Sequence, residues 1–107
     1  MCIRDRSYKT LTEAIKTSKD PYTARQQRAE LARKNHHLIE AMADYQTLLK
    51  TAPDDDELLV GRGYTYLEMH KYREAIQDFS KVITGNRDNA TSAYKGRSAA
   101  YLSLIHI

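Results

Sequence analysis

Apolar residues in this chain of 107 residues recur at a fixed distance of 34. Leu11, Tyr45 and Phe79 form one column, Ala14, Leu48 and Val82 a second, and Ile15, Leu49 and Ile83 a third. Ala41 recurs as Ala75, and Ala29 as Gly63, at the same distance. The segment Gly61-Arg62-Gly63-Tyr64-Thr65-Tyr66-Leu67 returns as Gly96-Arg97-Ser98-Ala99-Ala100-Tyr101 after 35 residues, a difference that one extra turn residue between Gly85 and Asn89 absorbs. A period of this length restricts the chain to stacked copies of one supersecondary unit. Each copy is too small to bury its own apolar face and must cover it with a neighbour.

Inside each period the apolar residues fall three and four apart, as in Ala41, Tyr45, Leu48 and Leu49, or Ala75, Ile76, Phe79, Val82 and Ile83. That spacing lines one face of an α-helix. Two helices therefore fit in a period. The pattern predicts first helices over 21–33 and 57–69 and second helices over 38–50 and 72–84, with short turns near Asn35 and His70. Asp20 before Pro21, the acidic run Asp54 to Asp56, and Asp88-Asn89 suit helix N-termini, whereas Gly85-Asn86 suits a C-terminus. Residues 7–20 then hold the second helix of an incomplete pair, 21–54 and 55–89 are full repeats, and 90–101 is the first helix of a further incomplete pair.

The two ends read differently. Met1-Cys2-Ile3-Arg4-Asp5 can be written in codons whose reverse complement encodes Leu102-Ser103-Leu104-Ile105-His106. One short DNA element in opposite orientations accounts for both, and it resembles the transposon mosaic end used to fragment DNA for sequencing. Residues 1–6 and 102–107 are accordingly expected to be adapter-derived, and the remainder to be an internal fragment of a longer protein. Without Cys2 the remainder has no cysteine, so cysteine usage assigns no compartment.

The unit resembles the tetratricopeptide repeat family, whose helix-turn-helix repeat has the same length. The matching residues are Leu59, Gly63, Tyr66, Ala75 and Phe79 in one copy, where Ala75-Ile76-Gln77-Asp78-Phe79 reproduces the family's Ala-x-x-x-Phe step, and Ala29, Ala41, Tyr45 and Pro53 in the other. The resemblance covers nearly all of residues 7–101. The chain departs from the family in having no Trp, in carrying Arg62 where Leu is usual, and in placing Arg87 where Pro53 stands one repeat earlier. The fold so implied is all-α, a helix-turn-helix repeat solenoid forming part of a right-handed superhelix. Small residues such as Ala29, Ala41, Gly63 and Ala75 would let helices approach closely while Tyr45, Tyr66 and Phe79 fill the space around them.

Composition removes several functions. Lys and Arg number 17 against 14 Asp and Glu, a net charge of +3 without a long single-sign block, which argues against a nucleic-acid tail or a polybasic anchor. The eight tyrosines interleaved with basic residues suggest base stacking, but Tyr45, Tyr66 and Tyr72 fall at packing positions. No apolar run approaches the ~20 residues of a membrane span. His36, His37 and His70 share the turn edge and would be the only imidazole set for a metal, with no carboxylate or thiolate fixed beside them. Asp54-Asp55-Asp56-Glu57 lacks the spaced oxygen ligands and glycine of a calcium loop and reads as a helix start. Glu74 and Asp78, beside Lys71 and Lys81, read as a salt-bridged solvent face. With no nucleophilic triad or phosphate loop, no catalytic residue, cofactor or metal is expected.

The resemblance instead implies a scaffold that binds another protein, as an extended peptide or a helix, in a concave groove lined by the first helix of each pair. Transferred residue by residue, that groove consists of Gln26, Gln27, Glu30, Arg33 and Lys34, then Val60, Gly61, Tyr64, Leu67 and Glu68, then Lys95. Family members that grip a C-terminal carboxylate use Lys and Asn at set positions. Only Lys95 is compatible here, so a different ligand is implied. Tyr64 and Leu67, beside a shallow floor at Gly61, are the expected anchors for an apolar partner side chain. Two other readings stay open: an accessory interaction arm of an enzyme encoded beyond the fragment, and a purely structural or oligomerising array that self-associates through its incomplete ends.

Overall fold

The computed structural model describes residues 3–17, 21–85 and 90–105, and among them every regular element is helical. The helices are α1 (Ile3–Thr17), α2 (Pro21–Lys34), α3 (Leu38–Thr51), α4 (Asp56–Glu68), α5 (Tyr72–Gly85) and α6 (Ala90–Ile105). The chain is all-α, and the four central helices start and stop within one residue of the limits set by the apolar period. The terminal helices run further than expected: α1 begins at Ile3 and α6 continues to Ile105, into the segments set aside as adapter-derived. Helical backbone at the end of α6 brings little packing with it, since Leu102 is 57% exposed and Ile105 74%, with Leu104 partly buried.

Local chemistry sets the boundaries. Pro21 opens α2 in the first turn, where its missing N–H costs nothing. Asp55 caps α4 by accepting a hydrogen bond from the Leu58 N–H at 3.2 Å, which narrows the acidic-run expectation to one residue. Gly85 is the last residue of α5, while Asp20, Asn86, Asp88 and Asn89 lie outside the described residues. The turns after α2 and α4 are copies of each other. His36 and His70 both take a left-handed backbone, with φ of 64° and 63°. The His36 N–H reaches the Arg33 carbonyl and the His37 N–H the Ala32 carbonyl; likewise the His70 N–H reaches Leu67 and the Lys71 N–H reaches Tyr66. This is the Schellman closure, which satisfies the last carbonyls of a helix.

Each helix packs on the next in sequence, and in addition α2 touches α4 and α4 touches α6. The first helices of successive periods thus lie side by side, while among the described residues α3 and α5 do not meet. The molecule measures 43 × 30 × 19 Å. Its core takes Ala29, Ala41, Tyr45, Leu48, Leu49, Ala75, Phe79 and Val82 from the predicted columns and adds Ala32, Leu58, Leu59, Ala93 and Ala100, while Leu11, Ala14, Ile15 and Ile83 of those columns are only partly buried. Two glycines of the period make room for the aromatics. A Cβ on Gly61 would lie 2.5 Å from the Tyr45 ring, and one on Gly96 would lie 2.3 Å from the Phe79 ring. Each large ring of a second helix is therefore seated on a glycine of the following first helix.

Candidate functional site

The side-by-side contact of α2 with α4 creates a cavity of about 280 Å³. Glu30 and Arg33 line it from α2, Glu57, Val60 and Gly61 from α4, and Tyr45 from α3 behind them. Four of these six, Glu30, Arg33, Val60 and Gly61, are among the residues that the family resemblance implies for a groove. The other two, Glu57 and Tyr45, were not among them. Glu57 stands three residues before Val60, one helical turn along the same face, so its place was accessible from spacing. Tyr45 was read as core, and it is core: 1% of it is exposed, yet its phenol end reaches Gly61.

The polar groups here are unevenly satisfied. Gln26 donates from Nε2 to Glu57 Oε2 at 2.9 Å, tying the two helices at the rim. Burial pushes the Tyr45 hydroxyl above the ordinary tyrosine pKa, and the hydrogen-bonding approach of Arg33, with its charge, opposes the rise. The approach falls short of a formed bond, however: by distance and angle neither the buried Tyr45 hydroxyl nor the buried Arg33 Nε completes a hydrogen bond, to each other or to a third group. Such groups are uncommon in folded proteins and mark places where something else completes the bonding.

The remaining groove residues are held in different ways. Tyr64 is half-buried: its ring meets Phe79 edge-on at a centroid distance of 5.0 Å, and its hydroxyl donates to the Ser92 carbonyl of α6 at 2.8 Å. Arg33 lies over the other side of that ring, 5.9 Å from its centre. Tyr64 thus braces α4 against α6 while keeping part of its surface open. Leu67 is partly buried against the core, and Glu68 approaches His36 Nδ1 at 3.3 Å. Gln27, Lys34 and Lys95 are exposed and do not line the cavity. Gly61 is buried, and the space left by its missing side chain is filled from inside by Tyr45, so it is a floor sealed by a ring.

One expectation is corrected. Asp78 does not decorate a solvent face; it is 6% exposed and pairs with Arg62 through Nε to Oδ2 at 2.8 Å and Nη2 to Oδ1 at 2.9 Å. Its partner across the period is Asp44, 3% exposed, bound to Arg28 through Nε to Oδ2 at 2.8 Å and Nη2 to Oδ1 at 2.6 Å. The hydrogen bonds that Arg62 donates to the Asp78 carboxylate raise its pKa despite partial burial. Arg62 in place of the usual Leu is thus half of a repeated bidentate pair.

The turn histidines have local neighbours: His37 Nδ1 is 3.2 Å from Glu40 Oε2, and His70 Nδ1 is 2.6 Å from the Tyr72 hydroxyl. Among the described residues no three His, Cys, Asp or Glu side chains gather as metal ligands, and no helix is long and apolar enough to cross a membrane. No protein-family model, curated protein or solved structure matches the chain.

Proposed function

We propose that the chain is part of a tetratricopeptide-like solenoid, a right-handed superhelix, whose concave face binds a segment of another protein. The observation that carries this reading is the row α2, α4, α6: first helices of successive periods touch one another, and a cavity opens between two of them, lined in part by Glu30, Arg33, Val60 and Gly61 of the set that the family resemblance implies for a groove. The recurrent Schellman turns and the recurrent Arg–Asp pairs support the repeat from independent chemistry. A wall that mixes Val60 and Tyr64 with Glu30, Arg33 and Gln26 suits a peptide with both apolar and polar side chains.

Peptides selected from a random display library against the whole chain test this directly. Bound peptide is expected to shift the backbone amide resonances of α2, α4 and α6, and to leave those of the exposed faces of α3 and α5 in place. Glu30→Ala, an exposed substitution that leaves the fold intact, should weaken binding by about 1 kcal/mol. Ligands that map to α3 and α5, or a selection that yields no binder, would overturn the assignment.

A further inference from the structure

We propose that the cavity between α2 and α4 is a recognition pocket for a side-chain carboxamide, an Asn or Gln of the bound partner. The inference rests on the groove reading and adds the chemistry of the ligand. At the base of the cavity two hydrogen-bonding groups stand without partners, the Tyr45 hydroxyl and Arg33 Nε. Arg33 Nε can only donate, and the phenol keeps an O–H to donate even where its oxygen accepts from Arg33, so what the pair lacks is an acceptor oxygen. Tyr45 cannot retreat to solvent, because its ring is clasped by the core and its tip abuts Gly61. Arg33 is partly buried and its Nε is covered as the Tyr45 hydroxyl is, so an incoming group reaches the two donors as the long Arg33 side chain gives way within the cavity.

The rim decides which acceptor fits. Glu30 and Glu57 line the same space, two carboxylates against the single cation of Arg33. A carboxylate ligand would satisfy the donors but meet net negative charge. An ammonium or guanidinium ligand would suit the glutamates, yet it would face Arg33 and leave both donors unpaired. A carboxamide meets both demands: its carbonyl oxygen accepts from Arg33 Nε and the Tyr45 hydroxyl, and its NH2 donates to Glu30 or Glu57. The rim already shows half of this chemistry, since Glu57 accepts from the amide of Gln26. A main-chain amide carries bulky neighbours on both sides and cannot descend to the base, whereas a Gln or Asn side chain can enter a space of about 280 Å³ end-on.

The test uses the whole chain and a phage-displayed library of random dodecapeptides. Enriched peptides should share an Asn or Gln. Replacing that residue by its isosteric acid should weaken binding at least about tenfold, the factor that corresponds to roughly 1.4 kcal/mol. Tyr45→Phe in the chain, which removes only the unpartnered hydroxyl, should weaken the amide peptide about fivefold or more while leaving the melting temperature in place. Binders that map to α2 and α4 but need no Asn or Gln, or that ignore Tyr45→Phe, would overturn the carboxamide pocket and leave the groove standing. Binders that map elsewhere, or none, would overturn both.

Discussion

His36 and His70 occupy the one position of each tight turn where the backbone is left-handed, with φ of 64° and 63°. An L-residue with a Cβ pays roughly 1–2 kcal/mol there, and glycine pays almost nothing. Glycine also loses more freedom on folding, which offsets part of the gain. His36→Gly and His70→Gly are therefore each expected to raise stability by about 0.5–1 kcal/mol, measured by denaturant melts. The exposed contacts they forfeit, to Glu68 and Tyr72, are of the kind that contributes little. A loss of stability would show that the imidazoles hold the turns. Tyr45 gives a second prediction at this scale. Its folded pKa is raised by burial, so the unfolded phenol ionises first as pH climbs. The stability tied to keeping this phenol neutral is complete below the ordinary pKa of about 10 and falls above it. Alkaline melts of Tyr45→Phe should decline less steeply above that pH than those of the parent chain.

Among elements, the joint between α4 and α5 and that between α2 and α3 use the same device, an Arg on the first helix forked onto an Asp on the second. With one partner removed, the other carboxylate or guanidinium is left largely desolvated, and such losses exceed the worth of the pair itself. Arg62→Leu is expected to cost about 1–3 kcal/mol, discounted because the guanidinium is 24% exposed. The double change Arg62→Leu with Asp78→Leu should recover most of that, and the coupling in the double-mutant cycle is the measurement. Additive costs would mean that the two side chains do not act as a pair. The four central helices were legible because buried aliphatic and aromatic columns impose period and face together. The Arg–Asp joint was not, since a charged residue on a helix reads as surface by default, and Asp78 was placed with Lys71 and Lys81 on that ground. The recurrence of both charges at 34 residues, Arg28 with Arg62 and Asp44 with Asp78, was the signal that could have revealed it. Of the residues that the family resemblance implies for a groove, Glu30, Arg33, Val60 and Gly61 line the cavity, whereas the reach of Tyr45 through the gap at Gly61 depends on how closely α3 and α4 approach, which no linear pattern encodes.

For the molecule as a whole, stacked helices exchange stability only with their neighbours, so protection should vary along the stack. The centre is favoured on every count. Phe79 is fully buried between Gly63 and Gly96, and α4 contacts α2, α3, α5 and α6. At one edge, among the described residues, α1 touches only α2, and its apolar residues Leu11, Ala14 and Ile15 are only partly buried. At the other edge α6 buries Ala93, Gly96 and Ala100 but leaves Tyr94 and Tyr101 each 50% exposed. The carboxy-terminal turn of α6 leaves Leu102 and Ile105 exposed and covers only part of Leu104, so deleting residues 102–107 should change stability by no more than about 1 kcal/mol. Native-state hydrogen exchange is then expected to be slowest in α4 and α5, intermediate in α2, α3 and the first two turns of α6, and fastest in α1, whose opening requires separation from only one helix. Because α1 contributes no fully buried side chain among its described residues, its opening should leave the protection of α4 and α5 unchanged. Uniform protection from α1 to α6 would instead make the chain a single cooperative unit, and the nearest-neighbour account of the stack would have to be abandoned.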